Sequence, residues 1–188
     1  MKHEMQIKNR LGKQKFRLLY SDKDIETRVK SLADEINKDF QGSSSLTIIG
    51  VLKGSFIFIA DLVRHLNIPI HVEFITASSY LKTESSGSVK ITEESLSNLK
   101  SKDVLIVEDI IDSGLTIQKL VNFIKTKEPS SIRVCSFLMK PHKIKEAISN
   151  IDYVGFKLSD GFVVGYGLDY DQNYRELPHI IELIDVNL

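Results

Sequence analysis

Apolar runs of strand length alternate along the chain with segments whose apolar residues recur at helical spacing. The strand-like runs are residues 46–52, 70–76, 104–108 and 132–139. After the third run, Ile117, Leu120 and Ile124 recur at three- and four-residue steps, which predicts a crossover helix. Crossover helices join parallel strands and cover both faces of a sheet. The pattern therefore predicts a three-layer α/β fold with a mostly parallel, twisted sheet.

The chain of 188 residues is long enough for one domain with a substantial core and too short for two of ordinary size. We find no internal repeat and no linker, so the sequence predicts a single domain over residues 1–188. Helical periodicity over residues 25–40 predicts a first helix before the sheet, with Ser21 or Asp22 as its cap. Further helices are predicted over residues 56–66 and around residues 143–148.

Charge and hydropathy exclude several kinds of partner. The chain carries 25 lysines and arginines against 25 aspartates and glutamates, so it lacks the basic field that drives non-specific nucleic-acid binding. Its first seventeen residues are locally basic, but they lack the apolar core of a targeting signal, and we interpret them as a solvated terminus. No run of about eighteen apolar residues is present to cross a bilayer. We expect a cytoplasmic protein that binds neither nucleic acid nor membrane.

The segment 104–116, with the sequence VLIVEDIIDSGLT, points most directly to a ligand. It predicts a buried strand, a loop of small residues and the start of a helix. The first amides of a helix have no partners within it, and its dipole adds partial positive charge, so the loop at 113–116 can hold a phosphate. Glu108 and Asp109 would repel a bare phosphate, but they can accept hydrogen bonds from sugar hydroxyls. A ribose 5-phosphate carries both groups.

The same segment has a plain structural alternative, which is an acidic strand end followed by an ordinary Ser-Gly turn. A Walker-type loop is excluded because no Gly-Lys-Ser/Thr follows the turn, and the glycine pattern of a Rossmann dinucleotide site is absent as well. The choice between a ribose-phosphate site and a plain turn therefore depends on the rest of the chain.

The segment closely resembles the signature for 5-phosphoribosyl-1-pyrophosphate (PRPP) in type I phosphoribosyltransferases. That signature is a hydrophobic strand, two adjacent acids and a loop of the form Asp-Thr/Ser-Gly-x-Thr. Three further segments resemble the branch of this family that acts on 6-oxopurines: residues 52–55, Ser79-Tyr80, and residues 162–175 with Lys140 ahead of them. The resemblance covers most of the chain. It implies the fold of this family, in which terminal segments form a small hood beside the sheet.

The resemblance implies roles for the residues on the phosphoribosyl side of the site. The acids take the ribose hydroxyls, the small-residue loop grips the 5′-phosphate, and a second loop receives the pyrophosphate. These residues are Glu108, Asp109, Ser113, Gly114, Leu115 and Thr116 for the ribose phosphate, and Lys53, Gly54 and Arg175 for the pyrophosphate. The implied cofactor is Mg²⁺, with Glu108, Asp109 and Asp169 as its ligands. In this family the second loop often contains a strained peptide bond before the residue that corresponds to Lys53.

On the base side, the resemblance implies that Phe162 stacks on the purine and that Lys140 donates to its 6-oxo group. The main chain of Val163 is expected to border the ring. Asp112 is expected near N7 of the purine, where it would act as a general base or proton relay. These expectations assign catalysis to Asp112 and base recognition to the other residues.

The polar stretch of residues 78–92 has little to bury. Composition alone leaves a disordered hairpin and a lid as alternatives, because long loops within a compact domain are often lids. The resemblance favours a lid, with Ser79 and Tyr80 at its beginning.

Two positions depart from the family pattern. Gly161 stands where a lysine is common in some members, and Leu115 replaces a frequent lysine in the phosphate loop. Both changes reduce the positive charge near the ligands.

The resemblance implies purine salvage, in which the 5-phosphoribosyl group moves from PRPP to N9 of hypoxanthine, and also of guanine. The products would be IMP or GMP and pyrophosphate. Relatives assemble, so a homo-oligomer, a dimer or a tetramer, is expected. One alternative is a PRPP-sensing regulator that binds nucleic acid, which the neutral charge disfavours. The other is a transferase for a different base, such as xanthine, orotate, adenine or uracil, which would differ in the base pocket.

Overall fold

The computed structural model describes residues 14–79, 89–92, 96–144 and 151–184, with the backbone alone described for residues 77–79 and 89–92. Within these ranges the strands are β1 (Phe16–Tyr20), β2 (Leu46–Leu52), β3 (Ile70–Ser79), β4 (Val89–Thr92), β5 (Asp103–Ile111), β6 (Ser131–Met139), β7 (Tyr153–Lys157), β8 (Phe162–Val164) and β9 (Ile180–Leu183). The helices are α1 (Asp22–Asp39), α2 (Phe56–Val63) and α3 (Leu115–Lys125), with a 3₁₀ turn at Pro141–Lys143.

Six strands form the main sheet, in the order β4-β3-β2-β5-β6-β7. Strands β3, β2, β5, β6 and β7 are parallel, and β4 pairs with β3 in the antiparallel direction at one edge. The predicted α/β fold with a mostly parallel sheet is therefore confirmed.

The side chains of the central strands alternate between two cores, because successive residues of a strand point to opposite faces. Ile48 and Leu105 belong to one core, which also contains Phe58 of α2. Ile49 and Ile106 belong to the other core, which contains the apolar face of α3. Helices therefore cover both faces, and this explains why β2 and β5 read as nearly continuous apolar runs.

Helix α1 begins with a reciprocal cap. The Asp24 N–H donates to Ser21 Oγ at 3.3 Å, and the Ser21 N–H donates to Asp24 Oδ2 at 2.9 Å. A cap of this kind stabilises a helix by about 1 kcal/mol. The apolar face of the helix is buried, as its periodicity predicted, and consists of Ile25, Val29, Leu32, Ala33 and Ile36.

A second, antiparallel sheet of three strands has the order β1-β9-β8. Phe16 of β1 and Phe162 of β8 both lie opposite Leu183 of β9. At the end of the ladder, the Ile184 N–H donates to the Lys15 carbonyl at 2.9 Å. The predicted hood of terminal segments is confirmed as this small sheet.

Two elements differ in extent from the sequence prediction. Strand β5 continues to Ile111, because Ile110 and Ile111 extend the ladder opposite Leu138 and Met139 of β6. The strand predicted over residues 104–108 was therefore too short, and Asp109 lies within β5 together with Glu108. Helix α2 ends at Val63, before the predicted end at residue 66, because its last bonds tighten to the three-residue step of a 3₁₀ turn.

The edges of the main sheet also extend beyond the prediction. Strand β3 reaches Ser79, which pairs with Val89 of β4, and β7 adds a parallel strand that the sequence analysis did not identify. In the region of the helix expected near residues 143–148, the structure has a 3₁₀ turn at Pro141–Lys143. Residues 145–150 of that expected helix lie outside the described residues. None of the described helices is long and apolar enough to span a membrane.

Candidate active site

The predicted site residues converge at the carboxyl edge of the parallel sheet. Lys53 directly follows β2, Glu108 lies near the end of β5, and Lys140 directly follows β6. Ligands of open α/β sheets bind at this edge. The peptide bond between Leu52 and Lys53 is cis, at the position where the family resemblance implied an unusual bond.

Two loops and the end of β5 pack tightly against one another at this edge. A Cβ on Gly54 would lie 1.4 Å from Asp109 Oδ2, so only a residue without a side chain fits between this loop and the acid. A Cβ on Gly167 would in turn lie 2.0 Å from the Gly54 carbonyl oxygen. The structure thus brings the expected pyrophosphate loop into contact with the expected ribose-binding acids.

The two adjacent acids carry an electrostatic penalty. Glu108 is buried, and its Oε2 has no hydrogen-bond partner among the described residues. Burial and then the neighbouring Asp109 charge raise the pKa of Glu108 well above its usual value. Burial also raises the pKa of Asp109, although the Ile110 amide and the Arg175 charge act in the opposite direction. Sugar hydroxyls or a cation would relieve this penalty.

The small-residue loop ends in the start of α3, as predicted. Gly114 is the N-cap, with a φ of +83° that glycine adopts without strain. Among the described side chains, none makes a capping hydrogen bond there, and the Leu115 N–H has a 3.5 Å contact with Ser113 Oγ. The Leu115 side chain is exposed. The first turn of α3 therefore has no capping side chain to compete with an anion, and Leu115 could contribute its N–H if the anion replaced the long contact with Ser113.

Lys140 is buried, although a lysine after a strand could have been an ordinary surface residue. Its Nζ donates to the Gly161 carbonyl at 2.8 Å and lies 3.7 Å from Asp112 Oδ2. The sequence analysis missed Lys143, whose Nζ lies 3.7 Å from the same Asp112 oxygen and 3.3 Å from Asp160 Oδ1. Its position two residues after a proline gave no signal of this role. Asp112 thus faces two cations.

The aromatic segment after Lys140 forms β8 and the turn that follows it. Phe162 makes an edge-to-face contact with Tyr170, with ring centroids 5.5 Å apart and an interplanar angle of 81°. Val163 is buried beside it and pairs through its main chain with Glu182 of β9. The hood therefore supplies an aromatic ring and a main-chain edge next to Lys140, as expected for a base site.

Asp169 and Arg175 form an ion pair. Arg175 Nη2 lies 2.7 Å from Asp169 Oδ1, and the Gln172 N–H donates to Asp169 Oδ2 at 2.8 Å. Over the described ranges, no group of three or more His, Cys, Asp or Glu could hold a metal ion. The structure therefore does not bring Glu108, Asp109 and Asp169 together as a ready ligand set, and both carboxylate oxygens of Asp169 already have partners.

The lid prediction falls mainly outside the described residues. The Ser79 backbone is the last of β3, Tyr80 is not described, and the same is true of residues 81–88 and 93–95. The ends of the stretch form the antiparallel pair β3 and β4.

A cavity of about 580 Å³ lies away from this edge. It opens to solvent and is lined by α1, α2 and the segment before β9, with Ile25, Asp61 and Leu177 among its lining residues. The predicted site residues do not line it. The geometry at the sheet edge, rather than cavity size, identifies the candidate site.

Comparison with known proteins agrees with this geometry. The family model described as phosphoribosyl transferase domain matches residues 19–171. The chain is 43% identical over 174 residues to the hypoxanthine phosphoribosyltransferase of Buchnera aphidicola subsp. Schizaphis graminum, which covers 92% of this chain and 98% of the relative.

Two solved structures extend the comparison. A hypoxanthine-guanine phosphoribosyltransferase from Bacillus anthracis has a TM-score of 0.85 and 41% identity, covering 92% of this chain and 100% of that one. The hypoxanthine phosphoribosyl transferase of Trypanosoma cruzi has a TM-score of 0.83 and 39% identity, covering 89% of this chain and 91% of that one. The chain therefore belongs to the phosphoribosyltransferase family, in the branch of the hypoxanthine and hypoxanthine-guanine phosphoribosyltransferases.

Proposed function

We propose that this enzyme transfers the 5-phosphoribosyl group from PRPP to N9 of hypoxanthine, and also of guanine, releasing pyrophosphate and IMP or GMP. The observation that carries the proposal is the convergence at one sheet edge of a buried acid pair, the start of α3 and the buried Lys140. These groups match a sugar diol, a phosphate and a 6-oxo group respectively.

The phosphoribosyl side binds through complementary groups. Glu108 and Asp109 accept hydrogen bonds from the ribose hydroxyls, which satisfies the buried Oε2 of Glu108. Residues 113–116 hold the 5′-phosphate with amides and hydroxyls at the start of α3. Lys53, Gly54 and Arg175 receive the pyrophosphate.

The residues present fit a requirement for Mg²⁺. Glu108 and Asp109 would contribute to holding the ion, because burial disfavours the charged form of both carboxyl groups, and a bound cation would compensate that charge. Mg²⁺ usually takes one or two carboxylates together with substrate oxygens, so the absence of a third ligand from the described residues is no obstacle. When bound, the ion supplies positive charge to the phosphate oxygens. Asp169 would join this site if it exchanged its bond to Arg175.

The reaction breaks the bond between C1 of the ribose and the pyrophosphate oxygen and forms a bond from C1 to N9 of the purine. Lys53 and Arg175 stabilise the negative charge that develops on the leaving pyrophosphate. The electron pair of N9 forms the new bond, and the proton of N7 passes to the Asp112 carboxylate. Lys140 and Lys143 each have Nζ 3.7 Å from an oxygen of that carboxylate, so the two cations hold it in place beside the base.

Lys140 selects the base. Its ammonium group has only donors, so it pairs with the 6-oxo acceptor of hypoxanthine or guanine and not with the 6-amino group of adenine. Phe162 adds stacking that all purines share.

Assembly and location complete the proposal. We expect a homo-oligomer, a dimer or a tetramer, since the oligomeric state of the Trypanosoma cruzi relative is linked to its C-terminal region. The family match over residues 19–171 supports a single domain over residues 1–188. Because PRPP and nucleotides are charged and do not cross membranes unaided, we expect the enzyme to act in the cytoplasm.

The test combines nucleotide formation with thermal stability. We expect IMP to form from PRPP, Mg²⁺ and hypoxanthine, and PRPP with Mg²⁺ to raise the melting temperature, because a ligand that binds the folded state stabilises it. The combined variant Glu108→Ala and Asp109→Ala should lose much of this shift. No IMP formation and no shift at saturating PRPP would remove the proposal, and a gel shift with nucleic acid at physiological salt would then favour the regulator.

A further inference from the structure

The main chain at Gly161 fixes the position of the Lys140 ammonium group. Lys140 Nζ donates to the Gly161 carbonyl at 2.8 Å, and the Lys140 side chain is only 8% exposed, so water cannot readily replace this acceptor. The nearby Asp112 carboxylate lies farther away, at 3.7 Å. The direction of the remaining Lys140 donors therefore depends on where the carbonyl of residue 161 lies.

Gly161 can present its carbonyl in this way because it has no side chain. Its φ is +101°, in the region that favours glycine. A Cβ at this position would lie 2.1 Å from Glu182 Oε1. Arg17 holds Glu182 from the other side, with Nη2 2.6 Å from Oε2. Both the backbone conformation and the space thus favour glycine at residue 161 in this chain.

Building on the proposed function, we propose that Gly161 is a positioning residue for purine selection. Its carbonyl takes one Lys140 N–H and so directs another donor to the 6-position of the base. Glu182, on β9 of the hood, occupies the space in which a side chain at residue 161 would lie.

The substitution Gly161→Ala should displace this carbonyl. Alanine is strained at a φ of +101°, and its Cβ would overlap the Glu182 carboxylate, so the main chain must rotate. Lys140 then loses its acceptor and moves toward Asp112, the opposite charge 3.7 Å away. An acceptor at the purine 6-position would lose its partner, whereas contacts to the ribose and phosphate would be unchanged.

Binding of IMP and AMP isolates this effect, because the two nucleotides share ribose and phosphate and differ only at the 6-substituent and the proton on N1. We expect wild-type protein to bind IMP more tightly in isothermal titration calorimetry. In Gly161→Ala the AMP-to-IMP ratio of dissociation constants should fall by about ten- to a hundredfold, the range for losing a hydrogen bond to a charged group. The fall should come from weaker IMP binding, with AMP binding nearly unchanged. Lys140→Gln shows the ratio when the donor itself is lost.

Gly42→Ala is the matched control. Gly42 has a φ of +93°, but a Cβ there meets nothing within 4 Å, so this variant has the backbone strain without the overlap and should keep the wild-type ratio. If Gly161→Ala is too unstable to purify, the double variant with Glu182→Ala removes the overlap, and its ratio should lie between those of wild type and Lys140→Gln.

A wild-type ratio in Gly161→Ala, or in the double variant where that replaces it, would overturn the inference. Equal weakening of IMP and AMP would overturn it as well, since that indicates a general structural defect. These outcomes are distinct from failure of the proposed function. If the proposed function were wrong, wild-type protein itself would form no IMP from PRPP and hypoxanthine.

Discussion

Asp109 Oδ2 occupies the place where a side chain on Gly54 would begin, 1.4 Å from the Cβ position. Gly54→Ala is therefore expected to push the loop after β2 and Asp109 apart, and overpacking of this kind typically costs about 1–3 kcal/mol. The loop of Gly54 is expected to bind pyrophosphate, and Asp109 is expected to bind ribose. The free energy of PRPP binding should therefore fall by more than the free energy of unfolding. Calorimetric titration of PRPP with Mg²⁺, beside a thermal melt, measures both quantities.

Gly42→Ala again provides the control, because a Cβ on Gly42 would have no other atom within 4 Å. It should leave PRPP binding unchanged. Wild-type PRPP affinity in Gly54→Ala would show that the close approach of Gly54 and Asp109 has no part in ligand binding.

Glu108→Gln is expected to stabilise the ligand-free protein while weakening PRPP binding. Because the pKa of Glu108 is raised above the ordinary value of 4.5, the folded protein binds more protons than the unfolded chain above that pH, and stability falls as pH rises. A neutral amide at this position does not ionise, so the variant avoids the fall in the free energy of unfolding. We expect that fall to be roughly 1–3 kcal/mol, the penalty for an unsatisfied buried group. Melting temperatures in buffer with EDTA should differ most at mildly alkaline pH and converge as pH falls toward 4.5.

The opposite result, a Glu108→Gln protein that melts lower than wild type at every pH, would mean that the carboxylate is compensated in the ligand-free state. Its titration would then not limit stability.

Asp112→Asn should lower kcat by about 10² to 10⁴, the usual contribution of a positioned general base. PRPP binding should persist, because the ribose acids and the phosphate loop are unchanged. Steady-state rates with hypoxanthine and a separate PRPP titration distinguish these effects. If kcat stays at the wild-type value, the contacts of Asp112 with Lys140 and Lys143 are purely structural.

Lys140→Gln should erode discrimination against adenine by roughly ten- to a hundredfold in kcat/KM, because a bond from a charged donor contributes about 1.5–3 kcal/mol. Phe162→Leu is the comparison, since loss of stacking should weaken hypoxanthine and adenine alike. Wild-type protein that uses adenine as well as hypoxanthine would contradict the role given to Lys140 and leave the PRPP assignment intact.

The sheet and the phosphoribosyl half of the site could be predicted because their signals are local. Apolar runs identified β2, β5 and β6, and the residues that follow parallel strands must meet at one edge. The loop before α3 was also predictable, because Gly114 and the helical spacing that follows it lie within a few residues of each other.

The hood and the details of the base pocket depended on contacts between distant residues. Strand β9 has four residues and pairs with β1 and β8, which a single sequence does not reveal. The space beside Gly161 is filled by Glu182, which is distant in sequence, so the reason for a glycine at this position is visible only in the folded structure. The extent of β5 was underestimated because two acids interrupt its apolar run, although the ladder with β6 continues beyond them.

The pairing of β1 with β9 also bears on the order of folding. These strands come from opposite ends of the sequence, and closing so long a loop is entropically unfavourable until the chain between them has compacted. The hood should therefore assemble after the parallel sheet, and Phe162, on the strand beside β9, should reach its place late. A refolding chain is then expected to recover affinity for PRPP before it recovers affinity for the purine base.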